Sequence, residues 1–406
     1  MSRQAHAAAS STDVVLAPND GLVWLMAMAC GLSVANIYYA QPLLDGLASA
    51  FGVDHGSAGL IITMTQLGYA LGILLLVPLG DLFDRRPLVT LISAAAALSS
   101  GAAALAPNFT VFMLASLALG VCAVVAQILV AFAAHLAAPE SRGRVVGQVM
   151  TGLLLGILLA RTLSGVLSDI AGWRSVFWCS AGLMVLQALL LGKRLPHLPG
   201  QMRMGYPNLV ISSLRLLVDE PILRRRSFFG AMIFAAFGVL WTTLPFLLTT
   251  EPYHYSESLI GAFGLLGAAG ALCASQVGKL HDRGHSHLAT GISMACVVVA
   301  FVLMGAWPAI LLAICVGIII LDVGVQGTQI LNQSRIYMLR PDARSRITTA
   351  YMSCYFLGGA LGSASSAWLY QLAGWRATCA LGAGFVLCAL LVWASGKRHA
   401  EKANVA

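Results

Sequence analysis

Apolar runs long enough to cross a bilayer recur along almost the whole sequence, and no other feature restricts the fold as much. A hydrocarbon core of ~30 Å takes ~20 helical residues to cross. Such runs fall near 22–44, 57–79, 88–106, 110–135, 145–168 and 175–192, then near 227–249, 256–277, 288–306, 309–333, 347–370 and 375–396. A backbone in lipid must satisfy its own hydrogen bonds, so these runs are read as twelve helices, spans 1 to 12. Composition agrees: the chain is 59% hydrophobic and 10% charged, against roughly 25% charged in soluble domains.

The spans come in two related sets of six. The tetrapeptide Ala-Gly-Trp-Arg occurs at 171–174 and again at 373–376, and this 202-residue offset also aligns Val145 with Ile347, Met150 with Met352, Gly156 with Gly358 and Ser164 with Ser366. Upstream, Gly80-Asp81-Leu82-Phe83-Asp84-Arg85 echoes Gly278-Lys279-Leu280-His281-Asp282-Arg283 at an offset of 198. Internal duplication in a chain of this composition points to a transporter, whose repeats enclose a site and rock about it. The expected layout is a tail over 1–20, a six-helix bundle over 21–192, a basic linker over 193–226, a second bundle over 227–396 and a tail over 397–406.

Charge sets the expected orientation. Of the 24 Lys and Arg, Arg174 and Arg376 fall in loops on one side and Arg161 inside a span; the other 21 share the opposite side. By the positive-inside rule that side is the cytoplasm, with both termini there and the inner membrane as the location. The anionic leaflet accounts for the net charge of +8, so no nucleic-acid partner is needed. Residues 1–20 have no apolar core of their own and do not read as a signal peptide. The nine cysteines all fall within spans and lack metal-type spacing; they read as small apolar fillers.

Two loops of the form G-x-L-x-D-R after spans 2 and 8, and Gly-Trp-Arg opening spans 6 and 12, resemble the major facilitator superfamily over residues 20–398. The resemblance implies an all-α polytopic protein of two six-helix bundles related by pseudo-two-fold symmetry. It also implies that Gly80, Asp84 and Arg85, with their copies Gly278, Asp282 and Arg283, belong to a cytoplasmic gate whose partners lie near the start of span 11 or at Arg142 and Arg144. Arg86-Pro87 stands where the signature has a glycine, which the second copy keeps as Gly284. Physically, Gly80 allows a close approach of chains, and Asp84 is placed to accept from a helix start or a basic group. Span 5 resembles the proton-driven antiporters of that superfamily, with Gly147 and Gly156 in their spacing, then Ala160, Ser164 and Gly165. Arg161 stands where those antiporters have a proline. Gly152, Gly156 and Ala160, four residues apart, form a groove for close helix packing. "ANIYYAQPLL" and "LDVGVQGTQILNQSRIY" resemble a bacterial subgroup of drug or arabinose efflux permeases. The arginine that many antiporters keep in span 4 is absent, Ser116 and Gly120 occupying its pattern.

Only Arg161 and Asp322 are acidic or basic residues deep within spans, where a charge costs several kcal/mol unless it faces a cavity or partner. Gln326, Gln329 and Gln333 follow Asp322 on one helical face, too polar for lipid. Asp322 is therefore the first choice for a proton-coupling and substrate site, against a buried structural seam. Arg161 reads as a lock onto span 8 or span 2, or as an anion contact; counted at ~1.5 Å per residue, it sits some 12–15 Å from the level of Asp322. Asn36 (with Tyr39 or Ala40), Gln66, Tyr69, Gln127, and the Phe234-Phe237-Trp241 stripe are weaker cavity candidates, as are Tyr351 and Tyr355. No Walker loop, H-E-x-x-H or G-x-S-x-G occurs, so neither an enzyme nor ATP drive is expected, and no cofactor or metal. The sequence is read as a monomeric secondary transporter, exporting a small, moderately apolar molecule in exchange for protons. The rivals are uptake of an organic anion held by Arg161 and, in another class, a non-transporting receptor or intramembrane enzyme.

Overall fold

The structure, a computed structural model, describes residues 20–138, 140–200, 204–268, 286–340 and 343–403, with side chains through 395. Among the described residues, nine helices are long and apolar enough to cross a membrane, and the last of them, Arg344–Ser395, is two spans in one. Polar caps start several of them. Asp54 accepts from Ser57 N at 2.7 Å to open His55–Leu75, Asn108 accepts from Val111 N to open Phe109–Cys122, and Asp84 accepts from Arg86 N to open Arg85–Ala104. Each satisfies a helix N–H that has no partner within its helix.

The duplication is visible in the backbone. Gly172 separates Arg142–Ala171 from Trp173–Arg194 with φ 76°, ψ 159°, and Gly374, its mate at the 202-residue offset, breaks spans 11 and 12 with φ 72°, ψ −168°. Both conformations are open to glycine and nearly closed to other residues. Packing repeats as well: span 5 lies on span 1 and span 11 on span 7, while span 3 pairs with span 6 and span 9 with span 12. Gly156 meets the Gly31 backbone and Gly358 meets that of Ala231, so neither has room for a Cβ. The halves join along span 2 against span 11 and span 5 against span 8.

Several elements depart from the expected runs. Span 1 is not one helix over 22–44: Asp20–Ala35 gives way to turns and resumes as Leu44–Phe51. Pro42 explains the break, since it lacks an N–H and drives Gln41 out of the helical region. Span 8 begins as Glu257–Ala262 and tightens to a 3₁₀ turn at Phe263–Gly267. The linker is partly helical, Tyr206–Asp219, and span 7 starts early, as Pro221–Thr249. Pro207 and Pro221 both fall in a first helical turn, where a missing N–H costs nothing.

Candidate functional site

The two deep charges come from different halves and lie beside one turn of span 8. Arg161, 4% exposed on span 5, points its guanidinium over the Trp241 ring of span 7 at 3.9 Å and over Tyr38 of span 1 at 4.7 Å. Its Nε donates to Gln41 Oε1 at 2.5 Å, in the broken stretch of span 1. Span 8 passes beside both charges. Gly264 lies against the Arg161 side chain and Gly267, one 3₁₀ turn on, lies against the Asp322 carboxylate. Asp322 is 5% exposed, and the structure gives no direct ion pair between the two; they flank the same short turn of span 8.

This arrangement revises the reading of Arg161 twice. Its polar partner is Gln41 of span 1, not a group of span 2 or span 8; span 8 supplies only backbone and glycine room. The two side chains also flank one turn of span 8, Gly264 lying beside Arg161 and Gly267 beside Asp322, a proximity that residue counting along separate rods does not show, since a long arginine side chain reaches along the interface. Tyr38 and Gln41 were missed as candidates, although the Gln-Pro step that unwinds span 1 was legible. Irregular backbone at membrane depth is tolerated where it lines a site inside the protein.

A cavity of about 640 Å³ opens at the end of the bundle that carries the Gly80–Arg85 loop. Its walls come from both halves, Val77, Gln127, Val130 and Val146 facing Tyr337, Arg344, Thr349 and Met352. That volume is within the range of small-molecule sites. Between the cavity and the charges lies an aromatic patch that crosses the interface. Tyr69 meets Phe356 edge-on at 4.3 Å, and Phe234 stacks on Tyr355 at 4.0 Å. Gln127 lines the cavity and donates to the Tyr69 hydroxyl at 3.1 Å. Gln66 is buried against Gly359 of span 11 with its Oε1 unpaired. Gln329 accepts from Tyr351 at 2.6 Å and, like Gln333, directs its amide towards the Met352 sulfur; Gln326 is half-buried.

The opposite end is shut. His55 stacks on Phe246 at 4.4 Å, Gly56 N donates to Gln371 Oε1, Ser363 Oγ donates to Gly59 O, and Ser258 N donates to Asp169 Oδ2 at 3.0 Å. Each contact joins one half to the other.

Other expectations need correction. Asn36 does not face the cavity: it accepts from Ser180 Oγ at 2.6 Å and donates to the Met184 sulfur, tying span 1 to span 6. Polarity alone said it needed partners, and these lie within its own bundle. Gly147 has open space where a Cβ would stand, so it is no packing residue, and Gly80 has room for one. Gly152 and Gly156 press on span 1 inside the half, Ala160 is buried, and Gly165 presses on the Glu257 backbone across the interface.

At the loop end, Asp84 does not reach across the halves. Its Oδ2 lies 2.5 Å from His197 Nδ1, and its Oδ1 accepts from Arg86 N and Leu198 N, so it fastens the linker to the start of span 3. The acid that reaches across is Asp81, which accepts from Ser345 Oγ at 2.9 Å, at the start of span 11, and from Arg85 at 3.3 Å. The copies Gly278, Asp282 and Arg283 lie outside the described residues. Partial burial pushes the Asp84 carboxyl up, but its hydrogen bonds with His197, Arg86 N and Leu198 N outweigh that and hold it below the usual range. A carboxyl held low stabilises the fold above its unfolded pKa of ~3.9 and stops doing so as pH falls through its folded value, so this fastening is complete at neutral pH. Asp84→Ala should cost ~0.5–2 kcal/mol, the usual effect of removing a helix cap. Thermal unfolding in detergent reads the loss, with faster proteolysis of the linker beside it. An unchanged midpoint and digestion rate would remove Asp84 from this role.

With this geometry in hand, comparison with known proteins is specific. The family described as Major Facilitator Superfamily matches residues 23–337. An uncharacterized transporter, YgaY, of Escherichia coli O157:H7 is 46% identical over 386 residues, covering 95% of this chain and 98% of its own. A Helicobacter pylori (strain ATCC 700392 / 26695) protein named "Probable sugar efflux transporter" is 25% identical, covering 78% of this chain and 80% of its own. Among solved structures, a bacterial homologue of the human lysosomal transporter Spinster, inward-facing and occupied, superposes with a TM-score of 0.73 at 15% identity, covering 93% of this chain and 96% of that one. At that identity the likeness speaks for the fold alone.

Proposed function

The chain belongs to the major facilitator superfamily and is a membrane transporter, not an enzyme, and from that premise we propose that it exports a small, moderately apolar molecule in exchange for protons, with Asp322 carrying the proton. One observation carries this reading. Among the described residues, the one buried carboxylate sits where the halves meet, beside the same span 8 turn as the one buried guanidinium, which belongs to the opposite half, and a cavity opens beyond the aromatic patch towards the loop end. A carboxyl group at that point can exchange its proton with whichever side the cavity faces. Rocking of the halves then alternates the side.

The open end carries the basic loops, so by the positive-inside rule it is cytoplasmic, with both termini there, in the inner membrane. The cavity thus faces the cytoplasm in this conformation, a state that export and uptake both pass through. Its aromatic and methionine-bearing walls, Tyr337, Met338 and Met352 among them, suit an apolar ligand that also needs a few hydrogen bonds. The direction rests on the Helicobacter relative, named for sugar efflux. The protein is taken to work as a monomer, since both halves of the site are in one chain.

The test is uptake into proteoliposomes under an imposed pH gradient, with a panel of sugars, organic acids and lipophilic cations. Accumulation driven by protons leaving an acid-loaded lumen, substrate and proton moving in opposite directions, supports the reading. Accumulation with entering protons makes the protein an importer. Transport indifferent to the gradient ends the proton assignment.

A further inference from the structure

A second, smaller cavity lies beside Arg161 at the closed end, lined by Gln41, Pro42, Arg161, Trp241, Leu244, Pro245 and Ile260. Its volume is about 10 Å³, the room that one water-sized atom needs. Three lining side chains carry polar hydrogens, and in all three an N–H has no acceptor: Arg161 Nη2, Gln41 Nε2 and Trp241 Nε1. All three residues are at least nine-tenths buried. The one side-chain oxygen among them, Gln41 Oε1, already accepts from Arg161 Nε at 2.5 Å. That bond also fixes which end of the amide is which: turned over, Gln41 would place N–H against N–H. Pro42 and Pro245 have no N–H to give, and Leu244 and Ile260 are apolar.

Buried donors without acceptors each cost about 1–3 kcal/mol, and a buried guanidinium that lacks a direct counter-ion costs more. Three of them belong to residues that line one small cavity, and one is permanently charged, so the cluster wants a monovalent anionic acceptor. We propose that this cavity binds one anionic group, a carboxylate oxygen of a transported molecule or a free small anion, through Arg161 Nη2, Gln41 Nε2 and Trp241 Nε1. Asp322 is not among the residues that line this cavity. The proposal goes beyond the export reading and does not depend on proton coupling.

Formate is the probe, its single C–H proton reporting contact by saturation-transfer NMR with the full chain in detergent. The wild type should give a saturable formate signal. Gln41→Glu places a tethered carboxylate in the cavity; it should abolish the signal while keeping thermal stability at or above wild type. Trp241→Phe should weaken formate by ~10-fold or more, the effect of losing one hydrogen bond to a charged group. Competition separates the two sources. Displacement of formate by chloride but not by benzoate identifies a free-ion site; tighter displacement by benzoate identifies the carboxylate end of a larger ligand. No saturable signal in the wild type, or an undiminished one in folded Gln41→Glu, overturns the proposal. Because no gradient is used, either result leaves the export reading to its own test.

Discussion

Asp322→Asn is expected to abolish gradient-driven accumulation and to leave folding and part of the substrate binding in place. The amide has the shape of the carboxyl but cannot give up or take on a proton across the working pH range, so substrate can still enter while the coupling is cut. Accumulation under an imposed gradient should fall to the level of empty liposomes. Exchange of labelled for unlabelled substrate, which needs no net proton movement, should survive. Accumulation equal to wild type would show that the proton travels elsewhere. Loss of both accumulation and exchange would make Asp322 a substrate ligand or a structural residue instead.

The second large effect concerns closure. Gly165 has no room for a Cβ because the backbone of Glu257 and Ser258, in the opposite half, lies against it. A valine there should hold apart the end of the protein that is shut in this structure. Overpacking costs ~1–3 kcal/mol, which is a shift of roughly 5- to 150-fold in the balance of two conformations. Gly165→Val should therefore depress transport while increasing labelling of a Ser258→Cys reporter by an impermeant reagent. Gly147→Val is the matched control, since open space surrounds Gly147, and should change neither. Gly152→Val should act differently again. It presses on Ala27 within the same half, so it should lower yield and stability, not redistribute conformations. If Gly165→Val labels and transports as wild type, the contact is not part of the closed state.

The sequence carried the architecture well, because hydrophobic length and duplication are both one-dimensional properties. Two Ala-Gly-Trp-Arg corners predicted two equivalent breaks, and Gly172 and Gly374 take nearly the same backbone conformation. Arg161 and Asp322 stood out as soon as charge was set against hydropathy. What the sequence withheld was direction. Asn36 and Gln127 are equally polar, but only the packing of spans shows that one faces span 6 and the other the cavity. Asp84 and Asp81 are three residues apart in one loop, and only the fold shows which reaches the other half. Gln41 was hidden for a further reason. Its importance comes from the unwinding at Pro42, and a helix drawn straight through 22–44 gives no reason to separate it from its neighbours.

Charge is placed singly in this duplicated scaffold. At the repeat offset, the mate of Arg161 is Ser363, a hydroxyl that accepts from Thr242 and donates to Gly59 O across the interface. The stretch that mirrors Asp322 lies within Gly120–Val124, which holds no Asp, Glu, Lys, Arg or His. Two identical halves would face each other with a pair of guanidinium groups and a pair of carboxylates at membrane depth, and like charges there repel with little water to screen them. Both positions thus depend on the halves having become unlike while remaining joined. A reconstituted dimer of residues 21–192 would inherit the scaffold and lose the complementarity.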